Sequence, residues 1–239
     1  MTSTMGARER RRGEVTAALL AAAKRELART GAAGLSVRAV ARDMGMAPSA
    51  LFRYISGRDE LLTLLIIEAY DDLGDHVEAV ERAVPRSDLR GRWRAIATSF
   101  REWAREHPHE YALLYGSPVP EYDAPAERTT PSGTRVTNLL AAIGMEDPTA
   151  PPRTAIPHMP DAAELAALAV AAEVPMMDGE RLMSGLLTWT VLVGAVSSEL
   201  FEQLGESVAR LDTLFDATVV LGEWLMFGDP RDESAGSPA

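Results

Sequence analysis

Cysteine is absent from all 239 residues, which excludes thiolate metal centres, disulfide frameworks, iron–sulfur clusters and cysteine nucleophiles, and makes a reducing compartment the default. Histidine is scarce. Only His107 and His109 among its four copies lie close in sequence, so neither a metal site nor a cofactor is expected. Lysine is almost missing: Lys24 stands alone among 24 basic residues, the rest being arginine, a bias that codon usage produces as readily as selection for bidentate recognition. Also lacking are internal repeats, a glycine-rich phosphate loop, and any period-two alternation bounded by hairpin turns. The expectation is an all-α chain.

Composition permits a packed core. At 46% hydrophobic and 25% charged, the sequence describes a globular chain with apolar material for one large or two small domains. The net charge of −11 argues at first against a polyanionic partner. Its distribution reverses that argument. Residues 1–60 carry eleven basic against six acidic side chains, whereas the remaining 179 carry 13 against 29. A basic N-terminal module meeting a polyanion, followed by an acidic body, is the simplest reading.

Two segments imitate targeting or membrane signals. Arg8 to Arg12 followed by Val15 to Ala23 looks like the start of a signal peptide, but Glu9 and Glu14 interrupt it and Lys24, Arg25 and Glu26 follow at once. An amphipathic first helix fits better. Leu182 to Ser198 is free of charge for seventeen residues, short of the ~20 that span a bilayer, and contains several hydroxyls. A buried helix is expected there, with no membrane partner and a cytoplasmic location.

Apolar periodicity predicts helices over residues 9–29, 37–44, 48–55, 58–83, 88–106, 108–116, 131–143, 161–173, 178–204 and 207–227. Two stretches break the pattern: a loop from Ser117 to Pro131, and a proline-rich linker from Met145 to Asp161. The last eleven residues read as a frayed tail.

The informative stretch is 34–61, GLSVRAVARDMGMAPSALFRYISGRDEL. Ser36 is placed to cap a short helix that buries Val37, Val40, Ala41 and Met44. Gly45 ends that helix, Met46 plugs the corner, and Pro48 opens a second helix that buries Leu51 and Ile55. Small Ala41 allows the close approach a helix-turn-helix needs. An ordinary helical corner would need the same buried positions. It would not need the outward face, where Arg38, Ser49, Ala50, Arg53, Tyr54 and Arg58 offer groups suited to phosphates and base edges. Ser56 and Asp59 then read as an S-x-x-D box opening the long helix.

This segment resembles the DNA-binding domain of the TetR family of bacterial transcriptional regulators. The likeness runs through Ser36, Val40, Ala41, Gly45, Met46, Leu51 and Leu61. Four positions depart: Ala47 replaces a capping Ser or Thr, Phe52 a Tyr, Tyr54 a His, and Arg58 a Lys. The resemblance implies a DNA-facing set of Ser36, Arg38, Pro48, Ser49, Ala50, Phe52, Arg53, Tyr54 and Arg58. Within it Arg38, Ser49, Ala50 and Arg53 would face the major groove, while Ser36, Tyr54 and Arg58 would hold phosphates. The basic arm of Arg8, Arg10, Arg11 and Arg12 would follow the backbone or enter the minor groove, or remain a solvated tail.

Further along, Trp103, His107 and Gly116, with Pro108, Ser117-Pro118 and Tyr122-x-Ala124-Pro125, resemble the WHG type of TetR C-terminal domain. The implied architecture is a three-helix helix-turn-helix domain over 9–57 and a helical ligand-binding and dimerisation domain over 58–228. Trp103, His107, Tyr111, Tyr115, Met183 and Trp189 are candidate effector contacts, with Met145, Met176 and Met177 as further candidates; all equally fit core positions. His107 as a helix-end cap and His109 as a solvated side chain need no metal or catalytic role. No Ser/His/Asp order or carboxylate pair is readable, so enzyme activity is not expected.

Leu182, Leu186, Trp189, Val193, Val196 and Leu200 recur at heptad steps, as do Leu211, Leu214, Thr218, Leu221 and Leu225. Second apolar stripes on both helices suggest one face for the core and one for a partner copy. The expected function is a homodimeric repressor released from a palindromic operator by a small molecule. Its expected partners are double-stranded DNA, that effector and a second copy. The alternative is a helical small-molecule or partner-binding protein that has lost operator recognition.

Overall fold

The computed structural model describes residues 3–146, 161–171, 179–205 and 211–228. Among these the regular structure is helical throughout: α1 (Ser3–Thr30), α2 (Val37–Asp43), α3 (Pro48–Leu51), α4 (Arg58–Arg82), α5 (Leu89–Glu106), α6 (Pro108–Tyr115), α7 (Ala126–Gly133), α8 (Arg135–Glu146), α9 (Ala162–Ala171), α10 (Gly179–Leu200) and α11 (Leu211–Phe227). The chain packs as two units. One comprises the residues up to Leu73 together with His107–Gly133; the other comprises Gly74–Glu106 and the described residues from Thr134 onward.

In the first unit the stripes expected from periodicity form one core. Leu19, Ala22 and Ala23 of α1, Val37, Val40 and Ala41 of α2, Leu51, Ile55, and Leu61, Leu62 and Leu65 of α4 are buried together. Burying each large aliphatic side chain contributes about 1.5–3 kcal/mol. Leu113, Val119 and Tyr122 pack against the same cluster, so segment 107–133 belongs by its packing with the N-terminal residues.

Three local expectations are corrected. The stretch from Ser117 to Pro131, expected as a loop, contains α7, which has Pro131 inside it. That proline is the sixth residue of the helix and leaves the Glu127 carbonyl without its i→i−4 backbone donor, and the helix ends two residues later. Helix α4 begins at Arg58, with Leu61 N–H bonded to the Gly57 carbonyl, so Ser56 stands outside the cap position. The second helix of the corner is regular only over Pro48–Leu51. It continues to Tyr54 through tighter bonds, Arg53 N–H to Ala50 O and Tyr54 N–H to Leu51 O.

In the second unit α5 presents Trp93, Ile96, Ala97, Phe100, Trp103 and Ala104 as one buried stripe. Trp93 Nε1 donates to Val219 O of α11 at 2.9 Å. Helices α10 and α11 pair, burying Leu182, Thr188, Leu192 and Val196 from one and Phe215 and Thr218 from the other. By length and composition alone α10 could cross a membrane, the one such helix among the described residues; it pairs with α11, which buries part of its apolar surface. At the start of α9, Asp161 Oδ1 accepts from Ala163 and Glu164 N–H while Glu164 returns to Asp161 N–H, a reciprocal cap.

Charged groups are buried here in partnership. Arg92, 1% exposed, donates to Glu81 at 2.6 Å and to Glu146. Burial pushes the Glu81 carboxyl up, but hydrogen bonds from Arg86 and Arg92 outweigh it and hold the group below the usual carboxylate range. Arg101 bridges Glu199 at 2.7 Å and Asp212 at 2.6 Å and lies over the Phe215 ring. That ties α5 to both α10 and α11.

Candidate nucleic-acid interface

The two short helices are set by their caps. Ser36 Oγ accepts from Ala39 N–H and starts α2. At its end Gly45, with φ of 65°, lets Met46 N–H reach Ala41 O and Gly45 N–H reach Arg42 O. This pair of bonds is a Schellman closure, and the left-handed residue at its centre favours glycine. Ala47 precedes α3 without a side-chain cap, and Pro48 supplies the first helical position instead.

With Val40, Ala41 and Leu51 fully buried, the opposite face is open. Arg38, Pro48, Ser49, Phe52 and Arg53 are exposed, and Ser36, Ala50 and Tyr54 are half-buried. Phe52 shows 52% of its surface, a large apolar side chain left uncovered beside guanidinium groups. Arg38 and Arg53 engage no acidic partner among the described residues. Arg42, one turn beyond Arg38 on α2, shares that condition and was not singled out from the sequence; its i+4 spacing from Arg38 was the available signal. Arg10, Arg11 and Arg12 are exposed on α1, so this part of the basic arm is helical.

Arg58, expected to hold a phosphate, makes contacts within the chain. Its guanidinium donates to the carbonyls of Ala32 at 3.0 Å and Ala33 at 3.1 Å, bracing the connection between α1 and α2. Beside it, Glu60 binds Arg128 through two bonds of 2.8 and 3.0 Å, and Thr63 meets Tyr122 OH at 2.8 Å.

The candidate effector residues fall in both units. In the first, Tyr111 is buried with its ring 5.0 Å from Tyr115, which stands edge-on to Tyr70. Burial, with Tyr70 and Tyr111 adding to it, pushes the Tyr115 hydroxyl well above its ordinary value. His107 precedes α6 and faces Asp72 at 3.7 Å. In the second unit Trp103 is buried, Trp189 packs edge-on to Phe100 at 5.1 Å, and Met183 is half-buried. Met145 is exposed; Met176 and Met177 lie outside the described residues.

The heptad positions divide by exposure. Leu186, Leu214 and Leu221 are exposed, and Trp189, Val193, Leu200, Leu211 and Leu225 are half-buried. Leu182, Val196 and Thr218 are buried within the chain, so these three serve its own core. Val220 and Trp224, both exposed on α11, extend the apolar surface beyond the expected stripe.

The comparisons with known proteins agree with this geometry. Residues 19–65 match the family described as bacterial regulatory proteins, tetR family, and residues 93–221 match the tetracyclin repressor-like C-terminal domain. The HTH-type transcriptional regulators Rv1816 of Mycobacterium tuberculosis and Mb1846 of Mycobacterium bovis are each 38% identical over 219 residues, covering 90% of this chain and 94% of theirs. The crystal structure of regulatory protein SCO4313 is 30% identical with a TM-score of 0.73, covering 89% of this chain and 96% of that one. FadR from Bacillus subtilis, solved in complex with stearoyl-CoA, shares the fold at 11% identity and a TM-score of 0.57, with 90% of this chain and 99% of that one covered. An open basic face on a helix-turn-helix, a helical body and full-length relatives of one kind lead to one assignment: the chain belongs to the TetR family of transcriptional regulators and is a DNA-binding regulator.

Proposed function

We propose that this regulator is a cytoplasmic, homodimeric repressor that leaves a palindromic operator when a small molecule binds its helical body. The observation that carries the reading is the pair Arg38 and Arg53, exposed and without acidic partners on the open face of a corner whose other face is fully buried. Guanidinium groups so placed are available for bidentate contacts to guanine edges or for phosphates. Pro48, Ser49, Ala50 and Phe52 complete the DNA-facing surface, and Ser36, Tyr54 and Arg58 are the proposed phosphate contacts. Arg42 joins as a phosphate contact.

Two copies would pair through the exposed apolar residues of α10 and α11, Leu186, Leu214, Val220, Leu221 and Trp224. A two-fold dimer presents two recognition helices and so matches a palindromic site. Tyr111, Tyr115, Trp103, Met183, Trp189 and His107 remain the proposed effector contacts. Effector binding would act through α4, which runs from the residue after the helix-turn-helix into the second unit. The proposed division is a helix-turn-helix over 9–57 and an effector and dimerisation domain over 58–228. No catalytic step is assigned to any residue.

One observation favours a second reading, in which operator recognition has been lost. Helix α3 spans only four residues and lacks a side-chain cap. One experiment separates the two: selection of bound duplexes from a random-sequence pool, with the salt dependence of the winner measured for wild type and Arg53→Ala. The repressor reading expects a palindrome, a steep salt slope, and a loss of discrimination in the variant. Weak binding without sequence preference, unchanged in the variant, would support the second reading.

A further inference from the structure

Tyr122 and Arg128 lie far in sequence from the DNA-reading corner and outside every DNA-facing set considered above, yet both reach the first two turns of α4. Tyr122 packs against the core shared by α1, α2 and α4. Its hydroxyl lies 2.8 Å from Thr63 Oγ1, and Thr63 spends its own proton on the Asp59 carbonyl at 2.9 Å, so Tyr122 is the donor. Thr63 is 2% exposed, which places this bond inside the unit. Six residues on, Arg128 grips Glu60 with two parallel bonds of 2.8 and 3.0 Å. Between them Pro125 O accepts from the N–H and the hydroxyl of Thr129, which fixes the start of α7.

On the other side of the same turn of α4, Arg58 holds the Ala32 and Ala33 carbonyls, immediately before the Ser36 cap of α2. The first six residues of α4 are thus anchored both to segment 122–128 and to the approach to α2. We propose that Tyr122 and Arg128 are positioning residues for operator binding: through Thr63 and Glu60 they set α4, and through Arg58 the placement of α2 and α3, without touching DNA themselves. The inference rests on the DNA-binding reading above.

Charge and exposure make the role separable from stability. The Glu60–Arg128 pair is partly solvated, Arg128 at 39% and Glu60 at 25% side-chain exposure, and pairs of that kind add little to folding. Tyr122→Phe keeps the ring in the core and removes only the hydroxyl. Neither residue belongs to the set proposed to face DNA.

The test uses the full-length protein and the duplex that wild type selects from a random pool. Affinity and its salt slope are measured for wild type, Tyr122→Phe, Arg128→Ala, and the exchange Glu60→Arg with Arg128→Glu. Tyr122→Phe and Arg128→Ala are expected to weaken operator binding about five- to tenfold with the salt slope unchanged. The exchanged pair is expected to recover most of what Arg128→Ala loses, which a direct phosphate contact by Arg128 would not produce, since the exchange leaves a carboxylate at position 128. Circular dichroism of each variant establishes that the protein measured is folded; a variant that does not fold is replaced by Arg128→Lys, expected to bind between wild type and the alanine variant. Equal affinity in all folded variants would overturn the inference alone. A salt slope reduced by about one unit in Arg128→Ala would make it a phosphate contact and overturn the positioning role. A wild type that selects no sequence would overturn the DNA-binding reading itself, and this inference with it.

Discussion

Arg58, the first residue of α4, donates to the carbonyl of Ala32 at 3.0 Å. A side chain expected to hold a DNA phosphate also braces the long helix against the turn that leads into α2. The two roles predict different salt behaviour. A lost phosphate contact would lower the slope of log K against log salt by about 0.9, whereas a lost brace weakens binding without changing the counterions released. With Arg58 a proposed phosphate contact, Arg58→Ala is therefore expected to weaken binding to the selected duplex and to lower that slope by about 0.9. Titrations at four salt concentrations decide it, and an unchanged slope would leave Arg58 the brace alone.

The contrast at Arg58 marks where sequence reasoning reached and where it stopped. The corner was legible because its determinants are local: Ser36, Gly45 and Pro48 act on the backbone within a few residues, and Val40, Ala41 and Leu51 declare their buried faces by spacing. The destination of Arg58 was not, since its acceptors lie 25 and 26 residues away and carbonyls carry no sequence signal. The same holds for segment 107–133, whose Leu113, Val119 and Tyr122 join a core built from residues 19 to 65. On α10 and α11 the heptad count gave the right helices but could not say which apolar stripe faces inward. Val196 proved to be core and Trp224 surface, because both stripes are apolar and only tertiary rotation separates them.

Gly222 of α11 lies under the indole of Trp93, whose Nε1 bonds Val219 O one turn earlier. A methyl group on Gly222 would run into the Trp93 ring and, at 3.1 Å, the Thr188 methyl. Both neighbours are buried, at 0% and 1% exposure, with little space to yield. Gly222→Ala should therefore destabilise the protein by about 1–3 kcal/mol despite alanine's higher helix propensity. Urea unfolding followed by tryptophan fluorescence measures this. An unchanged midpoint would mean that α11 shifts freely against α5.

Acid should act on the buried Glu81. Its carboxyl, 2% exposed, is held below its ordinary 4.5 because Arg86 and Arg92 outweigh its burial. A depressed folded value means the unfolded chain takes up the proton first, so the stability that ionised Glu81 lends is complete above pH 4.5 and is lost as pH falls through the lower folded value. Glu81→Gln should cost about 1–3 kcal/mol at pH 7 and flatten the pH dependence below pH 5. Parallel profiles for both proteins between pH 3 and 7 would show that other carboxylates govern the acid limb.

Leu221 and Trp224, at 40% and 42% exposure on α11, with Val220 at 63%, leave a large apolar surface uncovered in a single chain. Exposed patches of this kind commonly mark an interface, and a second copy is the proposed occupant. A charge there would have to be buried unpaired in the dimer but would be solvated in the monomer, so it should act on association and spare folding. Leu221→Glu combined with Trp224→Glu is expected to halve the mass seen by analytical ultracentrifugation while helix content stays the same. Because each half of a palindrome would then be bound separately, affinity for the full operator should fall far more than affinity for an isolated half-site. A double variant that stays dimeric would place the interface elsewhere, and one that becomes monomeric yet binds the palindrome as before would separate dimerisation from DNA recognition.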